Sequence, residues 1–553
     1  MCRRAFIVST NQGSLAWSRR GLAQTESQLI PLLRFGSAIY YVSASDFFLQ
    51  RPFWFLELFS LLLLLLLLLF ASRPLLASLP SHPQPPPHLA LFSLQPSFLC
   101  SASSPRAPLS SHPIMQCSPE LFAPTAPASP LPPSPLPDQD AEVPLVLVEG
   151  LFGVNQPWLW GPLDKLQPQG RRRRIIHVRP GPCSSLHDRA CEIFYQLKGG
   201  RVDYGEEHSA EKGHSRYGRV YEGLYPQWSA KHPLHFLGHS LGGNTIYRLQ
   251  QLLADRFFST HPDTSENWIR SLTAVSSPFR GTTAVYLLGE KHHSPGDVRP
   301  FSWGGIIYRG MHLYDAWAPA WLKSYFYDFN IDHWEIGSRY SLKRCLKKSP
   351  WAEGTDNPPY DLTLDEASRA NAESKTFPCT YYKSIATSMT QPSRGYQFHI
   401  PLLSQAKTIP LTVLSYLIGR YQMHPKPPSM KWFSEEDWWE NDGVCPKISQ
   451  YHPGDCRYEF CEHFTGICPS VKPHLLREEG KRGGLKSRVM DAFNPHHIVP
   501  KPGRWQVHEV PAMSHISLLP LWEGRSEQME FWTCLFAYLA RVDGLERDNT
   551  SNN

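Results

Sequence analysis

The chain has 553 residues, of which 41% are hydrophobic and 19% charged, and its formal net charge at pH 7 is +6. This length suits one large globular domain with extensions, and the composition excludes a wholly disordered chain. The net charge is too small to indicate nucleic acid as a partner. The densest basic run, Arg171 to Arg174, leaves two interpretations open, a solvated loop and a surface for anionic lipid.

An N-terminal extension, residues 1–52, precedes a hydrophobic segment at 53–72 that contains nine consecutive leucines, Leu61 to Leu69. A helix of about 20 apolar residues can cross a bilayer, and the long stretch before it favours a signal anchor over a cleaved signal peptide. The sequence therefore predicts membrane association through 53–72 and a location in the membrane or secretory pathway. Three alternatives stay open: a signal used from a later start than Met1, plastid or mitochondrial targeting, and an extension that is not made because Met115 starts a shorter chain.

Residues 73–140 are rich in Pro and Ser and show no hydrophobic periodicity, which predicts a disordered linker. The globular domain is expected at 141–545, with a polar tail at 546–553. Within it, the stretch from about 284 to 375 is rich in aromatic residues and lacks clear strand patterns, which favours a cap over the rest of the domain.

Apolar strands alternate with helical patterns along this domain, which predicts an α/β fold with a mainly parallel central sheet. The predicted strands are Val143–Glu149, Ile175–Val178, Leu234–His239, Leu272–Ser276, Tyr381–Thr387 and Trp505–Val510, and the predicted helices are Asp188–Leu197, Leu241–Leu253 and Glu527–Ala540.

Four of the 12 cysteines, Cys445, Cys456, Cys461 and Cys468, lie close together in the sequence. Their spacing fits no zinc ribbon. Disulfides and unpaired thiols are both open there, and the pairing cannot be read from the sequence.

The most informative segment is Gly238-His239-Ser240-Leu241-Gly242, a Gly-x-Ser-x-Gly motif between a predicted strand and a predicted helix. In this context the motif is typical of a nucleophile elbow, a strained turn that lifts the serine into the open. The alternative is a chance match, which the flanking strand and helix disfavour.

A serine nucleophile needs a base and an acid, and α/β-hydrolases carry them in the order Ser, acid, His. Asp442 lies in an Asp-Gly turn, and His515 follows the last predicted strand. By position they are the candidate acid and base, with Glu440 and His508 as rivals. The oxyanion donors are expected to be the backbone N–H groups of Leu241 and of Leu151, which follows the first strand.

Asp188, His208 and His214 lie within one short region and offer carboxylate and imidazole groups. Such donors suit zinc, although exposed histidines in a polar loop are commoner and the neighbouring acids Asp203, Glu206 and Glu207 blur the assignment.

Several longer motifs support a resemblance over 142 to about 540: Asp188-Arg189-Ala190-Cys191-Glu192, Gly199-Gly200 through Gly205, His214 to Arg219, Gly281-Thr282-Thr283, Phe329 to Trp334 and Glu440 to Gly443. Here the chain resembles the thermoalkalophilic Bacillus-type and staphylococcal lipases, and more closely their plant relatives. The resemblance implies an α/β-hydrolase fold with Ser240, Asp442 and His515 as nucleophile, acid and base. It also implies a structural zinc held by Asp188, His208, His214 and Asp332, which would tie the 188–214 region to the cap.

Two departures from the family matter. Glu149 stands where the family usually has histidine, and a carboxylate near a developing oxyanion would oppose catalysis unless it points away or is paired. The calcium-binding acids that follow the family's catalytic histidine are replaced by Ile516, Ser517, Leu518 and Leu519, so a calcium site is expected to be absent.

The resulting expectation is a carboxylic-ester hydrolase, similar to triacylglycerol lipases, that acts on lipid acyl esters. Two alternatives stay open: a lipid-binding protein of the same fold that has lost turnover through Glu149, and an acyltransferase that uses the same three residues. The sequence leaves acyl-chain preference and oligomeric state undetermined.

Overall fold

The computed structural model describes residues 29–35 and 38–43 and most of 142–551. The gaps in the larger range are 335–350, 424–433, 469–498, 455–459 and a few positions of one to three residues. The hydrophobic segment 53–72 and the linker 73–140 lie outside the described residues. Among the described helices, none has the length and apolar character needed to cross a bilayer.

The strands are β1 Leu29–Phe35, β2 Ala38–Ser43, β3 Leu145–Val148, β4 Ile175–His177, β5 Gly200–Asp203, β6 Tyr217–Tyr221, β7 Leu234–His239, β8 Ile269–Val275, β9 Tyr381–Ser388, β10 Thr390–Pro392, β11 His399–Pro401, β12 Cys461–Thr465 and β13 Trp505–Pro511. The α-helices are α1 Leu163–Leu166, α2 Leu186–Lys198, α3 Glu206–Lys212, α4 Leu241–Ala254, α5 Ala284–Leu288, α6 Trp303–Trp317, α7 Pro358–Asp361, α8 Leu364–Glu373, α9 Ile409–Ile418 and α10 Ser526–Ser551.

Seven strands form one parallel sheet in the order β12-β13-β9-β8-β7-β3-β4. The inner strands β3, β7 and β9 are buried along their length, as expected for a parallel sheet with both faces covered. The predicted mainly parallel α/β architecture is confirmed. The predicted N-terminal extension also contains an antiparallel pair, β1 and β2.

Each face of the sheet has its own core. On one face, α2 and α4 pack over β3 and β7 through side chains such as Phe194, Ile246 and Leu249. On the other, Phe531, Trp532 and Leu535 of α10 cover the sheet. Each large apolar side chain buried in this way contributes roughly 1.5–3 kcal/mol before entropy is counted.

Two features were not predicted from the sequence. Strand β12 lies at the sheet edge and has polar residues at three of its five positions, so no apolar run marked it. Cys468 does form a disulfide, but with Cys534 of α10 rather than within the predicted cysteine cluster. Cys456 lies outside the described residues.

Where it is described, the region from 284 to 375 contains the helices α5, α6, α7 and α8 and no strand. Its aromatic residues Tyr308, Phe329, Trp334 and Trp351 form a separate apolar cluster that packs against Leu151 and Phe152.

Candidate active site and metal centre

Ser240 occupies the turn between β7 and α4, at the carboxyl end of a central strand. Its backbone φ is +53°, a left-handed value that is costly for a residue with a side chain. The turn requires its glycines, because a Cβ on Gly238 would lie 2.4 Å from the Gly242 carbonyl carbon and one on Gly242 would lie 2.3 Å from the Val148 oxygen. The strained geometry of a nucleophile elbow is therefore present.

His515 and Asp442 lie beside this serine. The Nε2 atom of His515 is 2.9 Å from the Ser240 hydroxyl, and its Nδ1 atom is 2.8 Å from Oδ2 of Asp442. The backbone N–H of His515 also donates to the Asp442 carbonyl at 2.8 Å. Three residues far apart in the sequence thus form one continuous chain of hydrogen bonds, with the acid fully buried.

Three local donors fix the position of the Asp442 carboxylate. The backbone N–H groups of Val444 and Cys445 donate to Oδ1 at 3.0 and 2.8 Å, and the Thr387 hydroxyl donates to Oδ2 at 3.0 Å. Donors to a carboxylate stabilise its charge. Thr387 lies on β9, so the sheet itself orients the acid.

The two rival residues do not join this group. The Glu440 carboxylate pairs with Lys447 at 2.6 Å. His508 is fully buried on β13 with Nδ1 3.3 Å from the Gly466 carbonyl, and burial together with the charge of Lys383 holds its pKa well below the usual range.

His239 was not singled out from the sequence, although it lies within the motif. Its Nε2 atom donates to the His515 carbonyl at 2.8 Å, and the two imidazole rings lie 5.0 Å apart. Burial and the neighbouring His515 lower the pKa of His239 to about 3. A neutral His239 supports the backbone of His515 and places no positive charge beside its ring.

Of the two predicted oxyanion donors, Leu241 directly follows the serine and Leu151 lies in the 150–153 turn. Leu241 is the first residue of α4, so its N–H has no acceptor within the helix. On the other side the 150–153 turn approaches closely, because a Cβ on Gly150 would lie 3.2 Å from the Ser240 hydroxyl oxygen. In that turn the N–H of Phe152 is engaged by the Pro182 carbonyl, at 3.2 Å.

Arg189 of α2 contacts the start of this turn and was not predicted to act on the site. Its buried guanidinium donates to the carbonyls of Glu149 and Gly181, at 2.5 and 2.7 Å, and to the Thr245 hydroxyl at 3.0 Å. The five fixed donors of a guanidinium suit such a brace.

The Glu149 side chain is buried at the start of the same turn. Its Oε1 atom accepts a hydrogen bond from the Trp160 indole at 3.2 Å, and its Oε2 atom lies 2.6 Å from where a Cβ on Gly153 would be. The carboxylate is thus paired with the Trp160 indole. A paired carboxylate need not oppose the developing oxyanion.

A second group of polar side chains lies near the N-terminus of α2. Asp188, His208, His214 and Asp356 each offer one donor atom, and all four atoms lie within 4.8 Å of one another. His208 Nε2 is 3.3 Å from Asp188 Oδ1 and 3.4 Å from Asp356 Oδ1. The set of two imidazoles and two carboxylates is one that zinc binds in tetrahedral geometry.

The four donor atoms also lack the hydrogen bonds that buried polar atoms normally make. Asp188 Oδ1, His208 Nε2, His214 Nε2 and Asp356 Oδ2 are all buried and make no hydrogen bond in the described structure. Four such atoms that converge on one point would be costly without a bound cation. The second carboxylate oxygen of Asp188 is held by His333 Nε2 at 3.0 Å, an outer contact that orients the ligand.

Asp332 does not belong to this group, in contrast to the sequence expectation. Its side chain is half exposed and pairs with Arg219, whose Nε atom donates to Oδ2 at 2.9 Å. The short helix Asp332–Trp334 turns His333 and Trp334 inward and leaves Asp332 outside. Asp356, just before α7, takes the fourth position.

The chain is similar to known lipases. The family model "Lipase-like, C-terminal domain" matches residues 180–467. A lipase of Staphylococcus epidermidis is 30% identical over 299 residues, which are 50% of this chain and 38% of the relative. The chain thus spans well under half the length of that relative.

Two solved structures are also similar. The Staphylococcus hyicus lipase aligns with a TM-score of 0.55 and 24% identity, over 74% of this chain and 98% of that one. Lipase 1 of Pelosinus fermentans aligns with a TM-score of 0.51 and 25% identity, over 72% of this chain and 99% of that one. These likenesses confirm the predicted α/β-hydrolase fold. Because the family model covers just over half of the 553 residues, the chain belongs to the lipase-like C-terminal-domain family.

Proposed function

We propose that this protein is a serine-dependent carboxylic-ester hydrolase that acts on lipid acyl esters. The observation that carries the proposal is the unbroken contact from Asp442 through His515 to the hydroxyl of Ser240, at 2.8 and 2.9 Å. The relatives named lipases support the same reaction class.

In the proposed mechanism Ser240 attacks the ester carbonyl carbon while His515 Nε2 takes the hydroxyl proton. The N–H groups of Leu151 and Leu241 stabilise the negative oxygen of the tetrahedral intermediate. His515 then gives the proton to the leaving alcohol, and an acyl-serine remains. Water attacks that acyl group with His515 again as base, which releases the fatty acid and restores the serine.

Apolar surroundings of Ser240 support an acyl substrate. Leu151 belongs to both the aromatic cluster of the 284–375 region and a second cluster with Leu241, Val285 and Trp438. The Tyr327 hydroxyl donates to the Gly153 carbonyl at 2.9 Å, so this region contacts the turn that carries Leu151. We infer that the region serves as a cap over the acyl group.

We further propose that Asp188, His208, His214 and Asp356 hold a structural zinc ion. The four protein donors complete a tetrahedral site, so the ion would supply stability rather than reaction chemistry. It would join α2 and α3 to the segment before α7 and thereby fix one edge of the cap.

Membrane association through 53–72 rests on the sequence alone, as do the secretory or plastid location, the closer relation to plant lipases and the absence of a calcium site. These statements remain proposals.

Hydrolysis of p-nitrophenyl esters of graded chain length tests the enzymatic proposal on the full chain. We expect turnover by the wild type and by the exposed-serine control Ser259→Ala, and none above background by Ser240→Ala. An inactive wild type that still binds fatty acid would favour the lipid-binding alternative. Ester formation with added alcohol in preference to hydrolysis would favour the acyltransferase.

A further inference from the structure

A second convergent group of metal-binding side chains lies at the β12 edge of the sheet. His452, Cys461 and His463 each offer one ligand atom, and the three atoms lie within 4.8 Å of one another. Nothing in the proposed ester hydrolysis uses these residues.

Two of the three residues share one face of strand β12. Cys461 and His463 are two positions apart, so their side chains point to the same side. The parallel pairing of β12 with β13 places them opposite Trp505 and Val507. His452 comes from the segment that follows the short helix Lys447–Gln450, and both it and Cys461 are buried.

The hydrogen bonds of the two imidazoles determine which nitrogen faces the group. His452 Nδ1 lies 2.8 Å from the Pro453 carbonyl, and His463 Nδ1 lies 3.1 Å from a carboxylate oxygen of Glu509. Both oxygens can only accept, so both Nδ1 atoms carry the proton. In a neutral imidazole the lone pair is then on Nε2, the arrangement that outer carboxylates and carbonyls impose on metal-bound histidines.

We propose that His452, Cys461 and His463 form a binding site for a thiolate-preferring transition metal, with zinc as its natural occupant. One thiolate and two imidazoles are ligands that zinc accepts, whereas calcium and magnesium require oxygen. Three protein donors leave a fourth position for water, and the 30% exposure of the His463 side chain gives solvent access to the site.

The proposed metal site would fix the segment that carries Asp442, the proposed acid. His452 lies ten residues beyond Asp442, and between them Lys447 pairs with Glu440 at 2.6 Å and with Glu509 at 3.1 Å. A metal bound to His452 and to β12 would therefore cross-link the 440–452 segment to the sheet edge beside the strand that leads to His515.

Cobalt substitution of the full chain distinguishes this site from the one at Asp188. The Asp188 group contains no sulfur, so of these two sites only the one with Cys461 can give a thiolate-to-cobalt charge-transfer band. We expect two equivalents of cobalt in the wild type, and one equivalent without the band in Cys461→Ser. His463→Gln should also lose the band. The His463 side chain is partly exposed, so this substitution disturbs folding less than Cys461→Ser and separates loss of a ligand from misfolding.

Two controls complete the design. Asp356→Asn should lose one equivalent and keep the band, and Cys379→Ser, which removes an exposed thiol, should keep both. The proposal is overturned if the wild type shows no charge-transfer band, or if the band survives in Cys461→Ser.

Discussion

Oδ2 of Asp356 lies 3.3 Å from Nε2 of His214, in the position that the sequence assigned to Asp332. Asp356→Asn should therefore reduce bound zinc by about one equivalent per chain and lower the melting temperature, because a buried cluster of donors is left uncompensated. Elemental analysis and thermal unfolding measure both effects. Asp332→Asn is the matched control: it removes a half-exposed ion pair with Arg219 and should keep its zinc. Zinc loss in the control alone would restore Asp332 as the ligand.

Asp442→Asn should lower kcat for ester hydrolysis by about 10⁴, since an amide cannot hold His515 with Nδ1 protonated and Nε2 as the base. The comparison residue is Glu440, the rival acid two positions earlier, whose carboxylate pairs with Lys447. Glu440→Gln should change kcat far less. If the two variants are equally impaired, the acid is misassigned.

Glu149→Gln should change kcat/KM by less than about tenfold, or under ~1.4 kcal/mol. The reason is that glutamine retains the side-chain oxygen that accepts the hydrogen bond from the Trp160 indole. Trp160→Phe removes that donor and should impair catalysis more than Glu149→Gln does. A large gain in rate in Glu149→Gln would show that the carboxylate opposes the reaction after all.

Acidic conditions should destabilise the protein through His235. This residue is fully buried on β7 between Ser271 and Asp543, and burial lowers its pKa from 6.5 to about 4. Because the folded-state pKa is depressed, the unfolded chain binds the proton first. The stabilisation is present above pH 6.5 and is lost as the pH falls towards 4.

Urea unfolding of wild type and His235→Gln at about pH 7 and about pH 4.5 measures this effect as a difference, roughly 2–3 kcal/mol more loss in the wild type. The metal ligands titrate in both proteins, so their contributions to the pH dependence cancel in the difference. Equal losses would remove His235 as the origin.

Features formed by consecutive residues were predicted well from the sequence. The segment from β7 through Ser240 into α4 is local, so its apolar run, its two glycines and its helical spacing all occur within one stretch. Asp442 and His515 were chosen by chain order and resemblance, and the structure places both beside Ser240.

Features that depend on packing were not predicted. The region from 328 to 361 contains several acids, and only the fold determines that Arg219 binds Asp332 while Asp356 faces the histidines. Thr387 and Arg189 carry no motif that marks them as supports of the site. The pairing of Cys468 with Cys534 likewise joins elements 66 residues apart.

The contact between His515 and Ser240 spans 275 residues of chain, and the strand before His515 is inserted between β9 and β12. Loop closure over such a distance is slow and comes after local structure has formed. Recovery of esterase activity during refolding should therefore lag behind recovery of helical circular dichroism. The rate at which enzymatic activity recovers would then measure the last step of folding.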